Sequence, residues 1–365
     1  MMKSSPSLVS VLVIAVTTGY TGHAIAEDET LNLKLSGDMR YRHETIDVEN
    51  KDLRNRQRIR ARLGLSAQVN ERITLGFRAA TGNDDPVSTN QTLTDGFSSK
   101  PVILDLAYFE WKMPSVNGMV ISGGKVKNPF HTPMKTELLW DNDLSPEGLA
   151  FAYSLDSGTV KMFVNGSYFW VEERAAANDA VLLGGQAGVD WTGSSMGVLV
   201  SAGYFDYQNA RHNAPFYNHG DSFGNSVDNG GEYLYGFNEA EVIFECRPAG
   251  ILEKATVFAD YVANVARDAE DNTGWLAGVS YGACKAPGSY EINYTYRRLE
   301  KNAVVGAFTD SEFIGGGTGG EGHKVNFGIQ LAAKTKAALS YFLNQVGLED
   351  GKEYHRFQLD INVAL

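Results

Sequence analysis

The sequence predicts an all-β protein, a transmembrane antiparallel barrel of 16 strands. Three observations carry this. Apolar and polar side chains alternate with a period of two in segment after segment of about ten residues, the length a tilted barrel strand needs. The connections sort into short and long. After Ala26 no apolar run reaches the roughly 18 residues of a membrane helix. The chain has 365 residues, a formal charge of -12, 17 Tyr, 18 Phe and only 2 Cys.

Residues 1–26 read as an export signal. Lys3 gives a positive start, "LVSVLVIAV" at 8–16 is a short apolar core, and "AIA" at 24–26 is a small-residue cleavage site. The expected mature chain is 27–365, exported through the periplasm to the bacterial outer membrane. Net acidity argues against a nucleic-acid partner.

The first segment, 31–41, has Leu31, Leu33, Leu35, Met39 and Tyr41 on one face. The second is "RNRQRIRARLGLSAQV", with arginine at 54, 56, 58, 60 and 62 and aliphatics on the other parity. The third carries Ile73, Leu75, Phe77 and Ala79, and the fourth, "ILDLAYFEWKM", is ambiguous in parity. The fifth spans 119–127. Alternation then continues through Phe151, Met162, Val189, Val200, Val242, Val257, Val279, Ile292, Phe327, Leu339 and Leu359, one per further segment. Many segments end in Tyr or Trp, as interfacial aromatic girdles do.

"NE", "PSVN", "DSG", "GSS", "APGS" and "AKT" are short connections; 45–53, 81–100, 129–146, 206–235 and 299–322 are long. Outer-membrane barrels sort their turns and loops in this way.

The arginine comb sets the polarity of the wall. Arginine facing lipid at mid-bilayer costs about 2–4 kcal/mol each, so several on one strand must face the lumen. The same parity turns Lys34, Arg40 and Arg42 inward, with Arg72 and Arg78 of the third segment. With Arg54, Arg56, Arg58, Arg60 and Arg62 they form a basic wall whose density in one sign predicts counter-charge from elsewhere. The stretch 129–148 supplies Glu137, Asp141, Asp143 and Glu147, with His131 and Lys135. Folded into the bore, it would narrow the pore and set a field across it. The function that follows is a passive channel with a mild preference for anions.

The blocks "RIRARLGLSAQV", "FRAATGNDDPVSTNQTL", "LDLAYFEW" and "GGKVKNPFHTPMKTELLWDNDLSPEGLA" resemble the bacterial outer-membrane "putative porin" family and, more distantly, the sixteen-stranded porins. The resemblance covers roughly 31–153. It implies a signal peptide, a barrel with an inward-folded third loop, passive diffusion of small hydrophilic solutes, and commonly a homotrimer in outer-membrane lipid. Two features depart from the pattern: the chain ends in Leu365 rather than Phe, and the acidic "PEFGG" loop motif is absent.

Other chemistries find little support. Cys246 and Cys284 sit about 10 Å apart by strand spacing, too far for a disulfide unless a turn folds over. "GGGTGGEG" at 315–322 lacks the Lys-Ser/Thr of a phosphate loop and reads as a flexible connection. "DAEDNTG" has Val279 where a calcium loop needs Glu. His212 and His219 have no nucleophile at recognisable spacing. No catalytic residue, metal or cofactor is expected. Two alternatives are a surface receptor or adhesin using 206–235 and 299–322, and a plugged barrel enzyme.

Overall fold

A computed structural model describes residues 32–250 and 253–365. Its strands are β1 (Asn32–Val48), β2 (Arg54–Gln68), β3 (Ile73–Thr81), β4 (Gln91–Thr92), β5 (Val102–Lys112), β6 (Met119–Lys125), β7 (Glu147–Asp156), β8 (Val160–Glu172) and β9 (Ala180–Thr192). They continue as β10 (Met196–Gln208), β11 (Phe237–Pro248), β12 (Ala255–Asn264), β13 (Thr273–Gly282), β14 (Tyr290–Leu299), β15 (Gly320–Ala332), β16 (Thr335–Val346) and β17 (Lys352–Ala364). All pair antiparallel with their sequence neighbours, except that β3 pairs with β5 and the two-residue β4 lies on β2. β1 pairs with β17, Arg40 opposite Asn362 and Arg42 opposite Asp360, so the sixteen wall strands close on themselves. Closure removes the free edge that hydrocarbon would leave without hydrogen-bond partners.

Alternation fixes which face is which. Leu35, Met39, Leu75, Phe77, Phe151, Val200, Val242, Ile292, Leu359 and Val363 point outward and are exposed on the isolated chain. Their neighbours of opposite parity, among them Arg42, Glu44, Ser201, Glu241, Asp260 and Arg356, are buried inside. Tyr168, Trp170, Trp191, Tyr204, Trp275 and Tyr294 add outward aromatics. Large outward rings lie over glycines: a Cβ on Gly166 would come within 2.1 Å of the Phe151 ring carried by the paired strand.

The uncertain parity of the fourth segment has a local cause. In the β3–β5 ladder Arg78 faces Leu106 and Ala79 faces Leu104, so Asp105 is an extra, bulged residue. Outward positions run 102 and 104 before the bulge, then 109 and 111 after it.

Long connections cluster at one end: 49–53, 82–101, 126–146, 173–179, 209–236, 265–272, 300–319 and 347–351. Seven others of two to seven residues, 69–72 to 333–334, cluster at the other, although 49–53 and 347–351 on the long side have only five. β1 runs to Val48, so the first long connection is shorter than 45–53. The third ends at 146, and Glu147 belongs to β7.

Part of the interior is filled by a packed apolar cluster. Val126, Phe130, Leu138, Leu139 and Trp140 of the third long connection pack against inward Phe169, Leu182, Phe205 and Tyr207 of β8–β10. Phe216 and Tyr233 of the fifth join them, with Val304, Val305 and Ala307 of the seventh and Phe258, Val262 and Leu276 of β12 and β13. Within the glycine run at 315–317, Gly317 is buried, while Gly315 is exposed. A Cβ on Gly317, at φ +84°, would sit 2.3 Å from the Phe223 carbonyl oxygen.

Val242→Arg places a charge on the outer band and should destabilise the barrel by about 2–4 kcal/mol. Reversible urea unfolding in detergent checks this; Val242→Leu should unfold like the parent, and equal stability of the Arg variant would refute the assigned outer face.

Candidate functional site

The comb arginines are largely paired, and mostly by the wall itself. Arg42 donates through Nε and Nη2 to both oxygens of Asp360 on β17, at 2.6 and 2.7 Å, and through Nη1 to Glu312 of the seventh long connection. Arg356 donates to Glu44, its Nε at 3.0 Å, and Arg56 pairs with the same carboxylate, which is fully buried. Arg60 and Arg62 share Asp38 at 3.0 and 2.8 Å. Arg78 pairs with the bulged Asp105. The expectation that the wall is too rich in one sign to pair within itself is thus corrected. Asp38 and Glu44 share the parity of Arg40 and Arg42, so strand register brings them to the same face.

The third long connection adds one counter-charge to this wall. Asp143 lies 3.8 Å from Arg60 and 3.4 Å from Arg62, and also accepts the Thr89 N–H and hydroxyl at 3.1 and 2.9 Å. His131 is held on the far side, its N–H donated to Gln186 Oε1 at 2.7 Å, its ring Nε2 2.8 Å from Glu245. Glu137 and Asp141 face elsewhere, toward the seventh long connection. Asp141 donates its N–H to the Phe308 carbonyl at 2.8 Å and accepts the Ser311 N–H at 3.0 Å. Thr309 Oγ1 donates to the Leu138 carbonyl at 2.8 Å, and Arg297 Nη1 to the Glu137 carbonyl at 3.2 Å. Together these contacts form a clamp between two connections.

Four predicted positions fall outside this arrangement. Lys34 and Arg54 are exposed near the starts of β1 and β2, and Arg72 lies in the turn before β3, exposed. None has an ion pair among the described residues. Glu147 is exposed on β7 and pairs with Lys125 at 2.8 Å.

Sequence reading missed Asp310, Glu312, Arg297, Lys324 and Arg356. Arg356 was legible, since "RFQLDINVAL" alternates; Asp310 and Glu312 lie in an irregular connection with no period to place them.

Charges at the clamp are perturbed. Burial, then Asp310, pushes the Glu137 carboxyl up to about 7 against the pull of Lys324. Burial, then Glu137 and Asp310, holds Asp141 well above the usual carboxylate range. Glu312 goes the other way: burial opposes its charge, but Arg42 and Arg356 hold it well below.

Two cavities flank the connection. One of about 540 Å³ is bordered by Arg40, Arg42, Arg60, Lys324 and Lys336, facing Glu137, Asp141 and Asp310. One of about 490 Å³ lies toward Arg62, Arg78 and Lys127. Both are lined by Arg60, Lys135, Asp141, Asn142 and Asp143.

A closed barrel with an apolar exterior and a charged, cavity-bearing interior defines an outer-membrane porin. The chain belongs to the family described as "putative porin", whose model matches residues 20–230 and 230–364. Its fold is similar to that of Pseudomonas putida OprB, with a TM-score of 0.64 at 10% identity over 91% of this chain and 94% of that one. It is also similar to a triple mutant of the Rhodopseudomonas blastica porin, with a TM-score of 0.50 at 12% identity, covering 92% and 100%. No curated protein matches the sequence significantly. Family and fold point to a channel rather than an enzyme.

The clamp has a defined pH dependence. The Glu137 carboxyl titrates higher in the folded chain than unfolded, so its contribution is fully present below about pH 4.5 and is lost as pH rises through about 7. Asp141 acts in the same sense. Amide exchange in 137–145, corrected for its intrinsic rate, should quicken several-fold between pH 6 and 8. Glu137→Gln should flatten most of that change; an unaltered profile would mean Glu137 does not control the clamp.

Proposed function

We propose that this protein is a passive diffusion channel for small hydrophilic solutes and ions, in which the third long connection and the basic wall together form the constriction. The observation that carries this is the pair of cavities within a closed barrel, sharing Arg60, Lys135, Asp141, Asn142 and Asp143. Solutes enter among the long connections, pass that group and leave at the short turns. The roles are electrostatic: cations of β1 and β2 border one side, and Glu137, Asp141 and Asp310, with Lys324 of β15 beside them, the other, setting a transverse field.

A mild anion preference follows from a surplus of cations. Seven guanidinium groups (Arg40, Arg42, Arg56, Arg58, Arg60, Arg62 and Arg356) share five carboxylates, Asp38, Glu44, Asp143, Glu312 and Asp360. The preference is mild because most of the charge is cancelled in place. In this reading residues 1–26 are removed on export, and the barrel works as a homotrimer in outer-membrane lipid.

Single channels in a planar bilayer under a KCl gradient test the proposal. Conductance with a reversal potential on the anion side is expected; clear cation selectivity would remove the anion preference. Replacing Arg58, Arg60 and Arg62 together by Gln should shift selectivity toward cations. The shift is enlarged because Asp38 loses its partners. An unmoved reversal potential would place the constriction elsewhere.

A further inference from the structure

The carboxylates of the basic wall are not shared evenly. Asp360 gives both oxygens to Arg42, Glu44 is taken by Arg356 and Arg56, and Asp38 by Arg60 and Arg62. Arg40 and Arg58 are left over. Their nearest carboxylate oxygens stand at 3.9 and 4.0 Å, and the Nε of each is buried without a partner. Such a guanidinium, withdrawn from water and unmatched, is costly unless an anion completes its surroundings.

Only Arg40 of the two borders the 540 Å³ cavity. Nη2 donates to Asn90 Oδ1, whereas Nη1 has no hydrogen-bond acceptor among the described residues. Beside it in the cavity wall stand Arg60 and Lys135, the latter with no carboxylate within 4.0 Å among the described residues. The same cavity is lined by hydrogen-bonding Asn293, Thr295 and Asn326 of β14 and β15, by Asn362 beside Arg40 on β17, and by the charged Glu137, Asp310, Arg297 and Lys324.

We propose that Arg40 anchors a binding subsite for small hydroxylated monocarboxylates, such as lactate, inside the cavity. The inference rests on the channel reading and names its solute class. Nη1 of Arg40 takes the carboxylate, with Lys135 and Arg60 adding positive potential, and the amides and hydroxyl of Asn293, Thr295 and Asn326 in the lining take the solute hydroxyls. Asp360, Asp143 and Glu312 set the charge limit. They leave room for one negative charge on the solute and repel a second, so a phosphate dianion fits worse. Occupancy must be short-lived for conduction to continue.

Chloride current through bilayer-inserted protein is measured while sodium lactate replaces chloride-free inert salt at constant ionic strength. Lactate should reduce the current along a saturating curve, and inorganic phosphate at pH 8 should not. Arg40→Gln should abolish saturation. Asn90→Asp should do the same by giving Arg40 an internal carboxylate, and it keeps the wall cation that the fold depends on. Calorimetry of detergent-solubilised protein with lactate reads the subsite without needing conduction. Heat of binding with no KCl conductance would sink the channel and keep the subsite. KCl conductance with neither saturation nor binding heat would sink the subsite and keep the channel. Phosphate acting as strongly as lactate would overturn the solute class, and saturation that survives both substitutions would overturn the role of Arg40.

Discussion

Everything in this molecule depends on where a guanidinium can be placed in a wall only one residue thick. Hydrocarbon bounds one side, so each Arg of the comb must face the lumen, and its neighbours of opposite parity must then face lipid. Closure follows, because an open sheet would leave both a bare edge and a face with no defined solvent. Inside, charge is tolerated only with partners, and strand register supplies them: Asp38, Glu44 and Asp360 sit on strands beside the arginines they bind.

Once charge is settled on one side of the bore, apolar bulk occupies the other. The third, fifth and seventh long connections converge on the inner faces of β8–β13, where inward residues include Phe169, Leu182, Phe205 and Phe258 rather than cations. Open volume remains where side chains are charged or amide-bearing. The division is that of a globular core built inside a barrel, packed aromatic side chains standing beside a network of ion pairs.

The barrel was legible in the sequence because its signal is local. Alternation in "RNRQRIRARLGLSAQV" or "RFQLDINVAL" needs no knowledge of distant residues. Parity failed to decide only at "ILDLAYFEWKM", where Asp105 is inserted to meet Arg78. The site was legible in part. The arginines stood out, and so did the acidic stretch around Glu137, but the pairing between them did not, since Arg42 and Asp360 lie 318 positions apart. The seventh long connection was hardest to see. Its glycines suggest looseness by composition, whereas Gly317 is there because no side chain fits against Phe223.

At the join between β1 and β17, Glu44 meets Arg356 and Gln358, and Leu365 donates its N–H to the Gly37 carbonyl, so β1 is completed by β17, the strand most distant from it in sequence. Without β17, Glu44 keeps Arg56 but loses Arg356 and Gln358, and the β1 edge has no partner. One seam thus joins the two ends of the strand order by charge as well as by backbone hydrogen bonds.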